Sequence, residues 1–171
     1  MSVFFLYSAA AQSSNSSFIT ASQVTSVPVE LTIGDRVPED IPIKKIINYP
    51  VPSTCLGEFK DKLVILDFMA TNCKSCIEVL PRFDSLQKQF GNKLQIVLVT
   101  YEMEAQVRSF LEKNKMAKQL NLSWLVQDSL LKQYFPHEFI SHEVWIDRGI
   151  VKAITSTQYV KSANIQAVLD G

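Results

Sequence analysis

Residues 66–81 read LDFMATNCKSCIEVLP, and this stretch sets two cysteines, Cys73 and Cys76, two residues apart. The run that leads into it, KLVILDF (62–68), is apolar and of strand length, which suits a strand buried on both faces. After it, Ile77, Leu80, Phe83, Leu86 and Phe90 recur at threes and fours, the spacing of one helix face. Pro81 falls inside that pattern, where it is expected to kink the helix rather than begin it. The pair therefore sits where a buried strand turns into a helix.

Three kinds of chemistry use a CxxC. It can exchange electrons, supply half of a tetrahedral zinc site, or staple a turn. Zinc needs two further ligands, and Cys55, His137 and His142 are the remaining soft donors, none in a second paired motif. A closure this short restrains little chain entropy. At a helix N-terminus, unpaired N–H groups and the dipole favour a thiolate, so Cys73 reads as the nucleophile. Cys76, one turn on and facing inward, is then placed to resolve a mixed disulfide. No metal and no cofactor are expected.

Asp67 is an unusual choice for a buried strand. Burial raises a carboxylate's pKa, which suits a group that relays protons to a nearby thiol. The alternative is a strand-end aspartate paired with Lys62 or solvated, and position alone does not separate the two.

Outward from this centre, LQIVLVTY (94–101) reads as a second buried strand and EAQVRSFLEKNKM (104–116) as a helix. LSWLV is a short strand and SLLKQYF one or two helical turns. EVWID and GIVKAIT form a hairpin about Asp147-Arg148-Gly149, and a last helix follows with Ser162 as its N-cap. Toward the N-terminus, VELTI (29–33) alternates like a strand, Gly34-Asp35 turns it, and VPEDIPI continues as an extended segment. Trp124, Trp145, Tyr101 and Phe110 read as core. Residues 1–28 differ in character: an apolar run, small residues Ala9–Ala11 of the kind that end a secretory signal, then a Ser-rich polar leader. The expected organisation is a partial signal peptide and leader over 1–28 and one domain over 29–171. The expected location is periplasmic or otherwise extracytoplasmic.

The 171 residues are 47% apolar and carry 17 basic against 17 acidic side chains. That balance gives no electrostatic footprint for nucleic acid.

With these residues in order, the chain resembles the TlpA/ResA-like thiol–disulfide oxidoreductases of the thioredoxin superfamily. GDRVPEDI (34–41), FKDKLVILDF (59–68), CKSC with Leu80-Pro81, and VWIDRGIVKAI (144–154) carry the resemblance, which runs from about Leu31 to Leu169. It implies an α/β, thioredoxin-like fold: a central mixed β-sheet flanked by helices, with an N-terminal strand extension. It implies redox roles for Cys73 and Cys76, a buried acid at Asp67, and a substrate groove around Ile140, Ser141, Asn72 and Lys74. The departures are Met69 and Asn72 before the first cysteine, Ser75 inside the motif, Val79 after it, and Ser141 where the family has a cis-proline. A non-proline cis bond costs about 2.5–4 kcal/mol, so the Ile140–Ser141 bond is either strained or trans in a reshaped loop.

The reading is an exported enzyme that reduces protein disulfides. Its expected partners are a disulfide-containing client and, as an option, a membrane electron donor, with the protein itself a monomer. The competing reading is a thioredoxin-fold binding module with weak or no redox catalysis. A peroxidase reading is weaker, because no Pro-x-x-x-Thr-x-x-Cys loop is present.

Overall fold

A computed structural model describes residues 29–171; the expected signal segment and leader lie outside them. A six-stranded sheet runs through the middle, built from β2 (Ile46–Ile47), β4 (Leu63–Phe68), β5 (Leu94–Val99), β6 (Ser123–Leu125), β7 (His142–Asp147) and β8 (Ile150–Ser156). Its order is β2-β6-β5-β4-β7-β8. Strands β4, β5 and β6 are parallel, while β2, β7 and β8 join antiparallel. The apolar run of β4 is buried at all six positions, as an interior strand covered on both faces requires.

Alternation of side chains divides the interior into two layers. Leu63, Ile65, Ile96, Leu98 and Trp145 face helix α1 (Lys74–Phe90), and Val107 of α2 (Glu104–Lys113) and Ile165 of α4 (Ser162–Asp170) close the same side. Val64, Leu66, Phe68, Val97 and Val144 face the N-terminal segment and Leu131 of α3 (Leu131–Tyr134). Helix α1 lays Cys76, Leu80, Phe83 and Leu86 on the sheet, and it runs through Pro81 without ending.

Three expectations are corrected here. VELTI is not a strand: Asp35 Oδ2 accepts the Thr32 N–H at 2.7 Å, and the chain turns at Gly34 with φ 97°. The strand extension consists instead of a bridge from Arg36 to Ile150, a two-residue pairing of β1 (Pro42–Ile43) with β3 (Thr54–Cys55), and β2 on the edge of β6. Ser162 opens α4 as its first residue, with Lys161 at the cap position, and its hydroxyl accepts from Gln89 Nε2. Tyr101 is 67% exposed, because β5 ends at Val99 and the chain leaves the core. Trp124 and Trp145 are buried, and Phe110 is half-buried against Trp124. The β7–β8 turn is as read, with Arg148 (φ 49°) and Gly149 (φ 73°) both left-handed, as a type I′ hairpin demands.

Phe83 is fully buried between α1 and the sheet. Phe83→Ala should destabilise the domain by about 3–5 kcal/mol, read as a lower urea midpoint with the m-value unchanged.

Candidate functional site

Cys73 is the N-cap residue of α1, and its sulfur accepts the Cys76 N–H at 3.3 Å. The two sulfurs are bonded to each other, with Cα atoms 5.3 Å apart. Cys73 is partly accessible whereas Cys76 is 1% exposed. The turn that delivers them is held by an acid that sequence reasoning missed. Glu102 is buried, and its carboxylate accepts the Thr71 N–H (2.8 Å), the Thr71 hydroxyl (2.7 Å) and the Thr100 hydroxyl (3.1 Å). The chain on either side of it is irregular, so no periodicity marked it.

Asp67 lies on the sheet face that α1 covers, and it is 1% exposed. It is not paired with Lys62. Neither of its carboxyl oxygens has a hydrogen-bond partner among the described residues. Directly opposite, in register on β7, stands Glu143, 0% exposed, a second acid absent from the sequence reading. Glu143 Oε1 accepts the Thr157 hydroxyl, and the Thr157 carbonyl accepts from Arg82 Nη2 at 2.7 Å. Burial first, and the neighbouring Glu143 charge second, hold the Asp67 carboxyl well above the usual carboxylate range. Burial likewise raises Glu143, against opposing contributions from Thr157, Asp67 and Arg82. The signal was there in HEVWID (142–147), where an acid occupies a strand position, but it becomes readable only once the β4–β7 register is known.

The Ile140–Ser141 bond is trans, since no cis peptide occurs among the described residues. Ser141 adopts φ 66°, donates its N–H to the Phe68 carbonyl at 2.9 Å, and sets its hydroxyl 3.2 Å from the Cys76 sulfur. The serine side chain therefore touches the Cys76 sulfur, and Ile140 beside it is 41% exposed. Asn72 and Lys74 flank Cys73 on the exposed rim, where Lys74 makes only a solvent-exposed pair with Glu78 at 3.8 Å. His142 turns to the other face of the sheet: it stacks on His137 (centroids 4.8 Å) and packs near Phe68, so it is not placed to stabilise a thiolate. Burial, then the His137 charge, lowers its pKa. Cys55 is a free thiol on β3, next to Leu56 in the layer across the sheet from α1, which argues against a bond to Cys73. Among the described residues there is no cluster of three or more His, Cys, Asp or Glu side chains able to hold a metal.

Residues 39–134 match the AhpC/TSA family. The chain belongs to that family. The Thioredoxin-like protein YneN of Bacillus subtilis is 41% identical over 59 residues, covering 32% of this chain and 35% of that relative, so the shared segment spans about a third of its length. Among solved structures, a thiol:disulfide interchange protein from Bacteroides sp. has a TM-score of 0.59 at 20% identity, covering 82% of this chain and 89% of the other. The reduced 2-Cys peroxiredoxin of Plasmodium vivax has a TM-score of 0.63 at 18% identity, covering 81% and 96%. The fold is thioredoxin-like, and a bonded Cys73–Cys76 pair stands at the start of its first helix.

Two outcomes follow. Ser141→Pro must abandon φ 66° and the N–H bond to Phe68, so it should destabilise the domain by at least about 1–3 kcal/mol, whereas Ser141→Gly, which keeps the N–H and relieves the left-handed backbone, should not. Chemical denaturation of the two oxidised variants compares them. The second concerns pH. An acid whose folded pKa exceeds its unfolded value keeps in the native state a proton that the unfolded chain loses, so stability falls as pH rises from the unfolded value through the folded one. Asp67→Asn should therefore stabilise the protein, with the gain widening from mildly acidic to alkaline pH in a thermal-melt series.

Proposed function

We propose that this protein is an exported thiol–disulfide oxidoreductase of the TlpA/ResA-like kind, which reduces disulfides in protein clients through the Cys73/Cys76 couple. One observation carries the proposal: the accessible N-cap sulfur of α1 is already bonded to a buried partner one helical turn away. The helix N-terminus favours the Cys73 thiolate, which attacks a client sulfur and forms a mixed disulfide. Cys76 then loses its proton, attacks the Cys73 sulfur and frees the reduced client. Asp67, buried on the face beneath α1 and raised in pKa, is the proton acceptor for Cys76. The exposed side chains of Ile140, Asn72 and Lys74 border the sulfurs and form the surface a client strand meets, with Ser141 at its floor. The apolar start and Ala9–Ala11 support export, which would leave reoxidised protein dependent on an electron donor at the membrane.

The AhpC/TSA match favours a second reading, reduction of hydroperoxides. The adjacent resolving cysteine supports disulfide exchange instead, because an attacked Cys73 has its partner within bonding distance without any rearrangement.

Insulin reduction and peroxide consumption, assayed side by side, separate the two. The wild type should reduce insulin and lose that activity in both Cys73→Ser and Cys76→Ser. Cys76→Ser should retain a rapidly alkylated Cys73 and accumulate mixed disulfides with clients. Peroxide consumption that survives in Cys76→Ser, with no insulin reduction by the wild type, would overturn the proposal.

A further inference from the structure

Asp67 poses a problem of hydrogen bonding. An ionised carboxylate only accepts, and one buried without a donor costs far more than a strand position can offset. The groups facing it are few. Leu98 lies opposite it on β5, and Glu143 lies opposite it on β7. Glu143 in turn meets Thr155 across β8, the Thr157 hydroxyl from the turn after β8, and the charge of Arg82 from α1. From α1, buried Cys76 lies in the core layer on the same side of the sheet, while His142 faces the other side. Side chains directly opposed across antiparallel strands hold their Cβ atoms about 4.5–5.5 Å apart, so two carboxyls there are within reach of each other. A proton on one of them supplies the donor that the other lacks.

We propose that Asp67 and Glu143 share one proton as a coupled pair, with Glu143 the positioning residue and Thr157 its outlet to solvent. The outlet is geometric. Thr157 donates to Glu143 from the inside and lines, together with Ser75, Arg82, Ser141, Ser156 and Gln158, an open cleft on the outside. Ser141 joins that cleft to the Cys76 sulfur. The pair thus lies between the resolving cysteine and water.

The role deepens the reading of the site as a disulfide reductase and rests on it. In the resolving step the Cys76 thiol gives its proton to the pair, and its sulfur attacks Cys73 Sγ of the mixed disulfide. The Cys73–client S–S bond breaks as the Cys73–Cys76 bond forms, and the client leaves as a thiolate that takes a proton from cleft water. Two electrons have passed from the protein dithiol to the client disulfide. The pair, now carrying a second proton, returns it by way of Thr157 to the cleft. Glu143 enters this step as the second half of the acceptor: with one proton already held between the two carboxyls, their single remaining negative charge takes the proton from Cys76 and passes it on toward Thr157.

Carboxyl-labelled NMR titration of the full chain tests the pair directly. In the wild type, Asp67 and Glu143 should each report the same two steps, separated by more than about one pH unit. Glu143→Gln should leave Asp67 with a single step, below the upper wild-type step, and should move the matching limb of the insulin-reduction pH profile the same way. An Asp67 titration that is single in the wild type, or unmoved in Glu143→Gln, overturns the sharing. Thr157→Val keeps both carboxyls and serves if Glu143→Gln fails to fold: both steps should persist while exchange slows several-fold, and an unchanged rate removes Thr157 as the outlet. Wild-type exchange by Asp67→Asn alongside a two-step wild-type titration would instead refute the proton-transfer reading of the site and leave the pair standing.

Discussion

Strand β4 is hydrogen-bonded along both edges and buried on both faces, and every part of the site is referred to it. Its pairing with β5 fixes where the turn to Cys73 starts, since Met69 donates its N–H to the Val99 carbonyl directly after the last paired residue. Its pairing with β7 fixes Ser141, whose N–H meets the Phe68 carbonyl at the same end. The two cysteines and the serine that touches Cys76 are therefore delivered from opposite edges of one strand. Because a slip of one residue would exchange the faces of the strand, the register that buries Leu63 and Ile65 under α1 is also the register that puts Asp67 beneath it.

That constraint has an electrostatic cost. Placing two acids in register inside the sheet is unfavourable for folding, and burial without donors leaves three of their four oxygens unsatisfied. The surroundings moderate the cost rather than remove it, through the Thr157 hydroxyl and the Arg82 charge on the Glu143 side alone. A site selected only for stability would have apolar residues at both positions, as β4 and β7 have at the neighbouring Ile65–Trp145 rung. Retention of polar groups where packing favours none is the usual mark of chemistry.

The fold was legible because its carriers are local and periodic. The buried runs of β4 and β5, the threes and fours of α1 and the Arg148-Gly149 turn each state their conformation within a few residues. Cys73 and Cys76 were legible for the same reason, whereas for Asp67 position alone left burial and a strand-end pairing with Lys62 undivided until the fold placed it under α1. What escaped depends on contacts between segments distant in the chain. Glu143 matters through a partner 76 positions earlier, by the numbers of the β4–β7 register, and Glu102 through Thr71 on a separate loop. VELTI misled because its alternation is real but Asp35 captures the Thr32 backbone first, a case of side-chain bonding overriding a strand pattern.

Ser141 shows how the site works without the family's proline. A cis-proline shapes its loop by covalent geometry and leaves no N–H to satisfy. This chain reaches a shaped loop by other means, a left-handed residue tied down by its own N–H to β4. The exchange brings a hydroxyl to the Cys76 sulfur where proline would have set only carbon. A hydroxyl beside Cys76 can bond to that sulfur when it is reduced, an interaction worth about 0.5–1.5 kcal/mol for a neutral thiol. The same contact is present while Cys76 is bonded to Cys73, so the hydroxyl accompanies the sulfur in both states of the couple. The serine thus keeps a hydroxyl on the Cys76 sulfur at a position where proline would leave that sulfur without a polar neighbour.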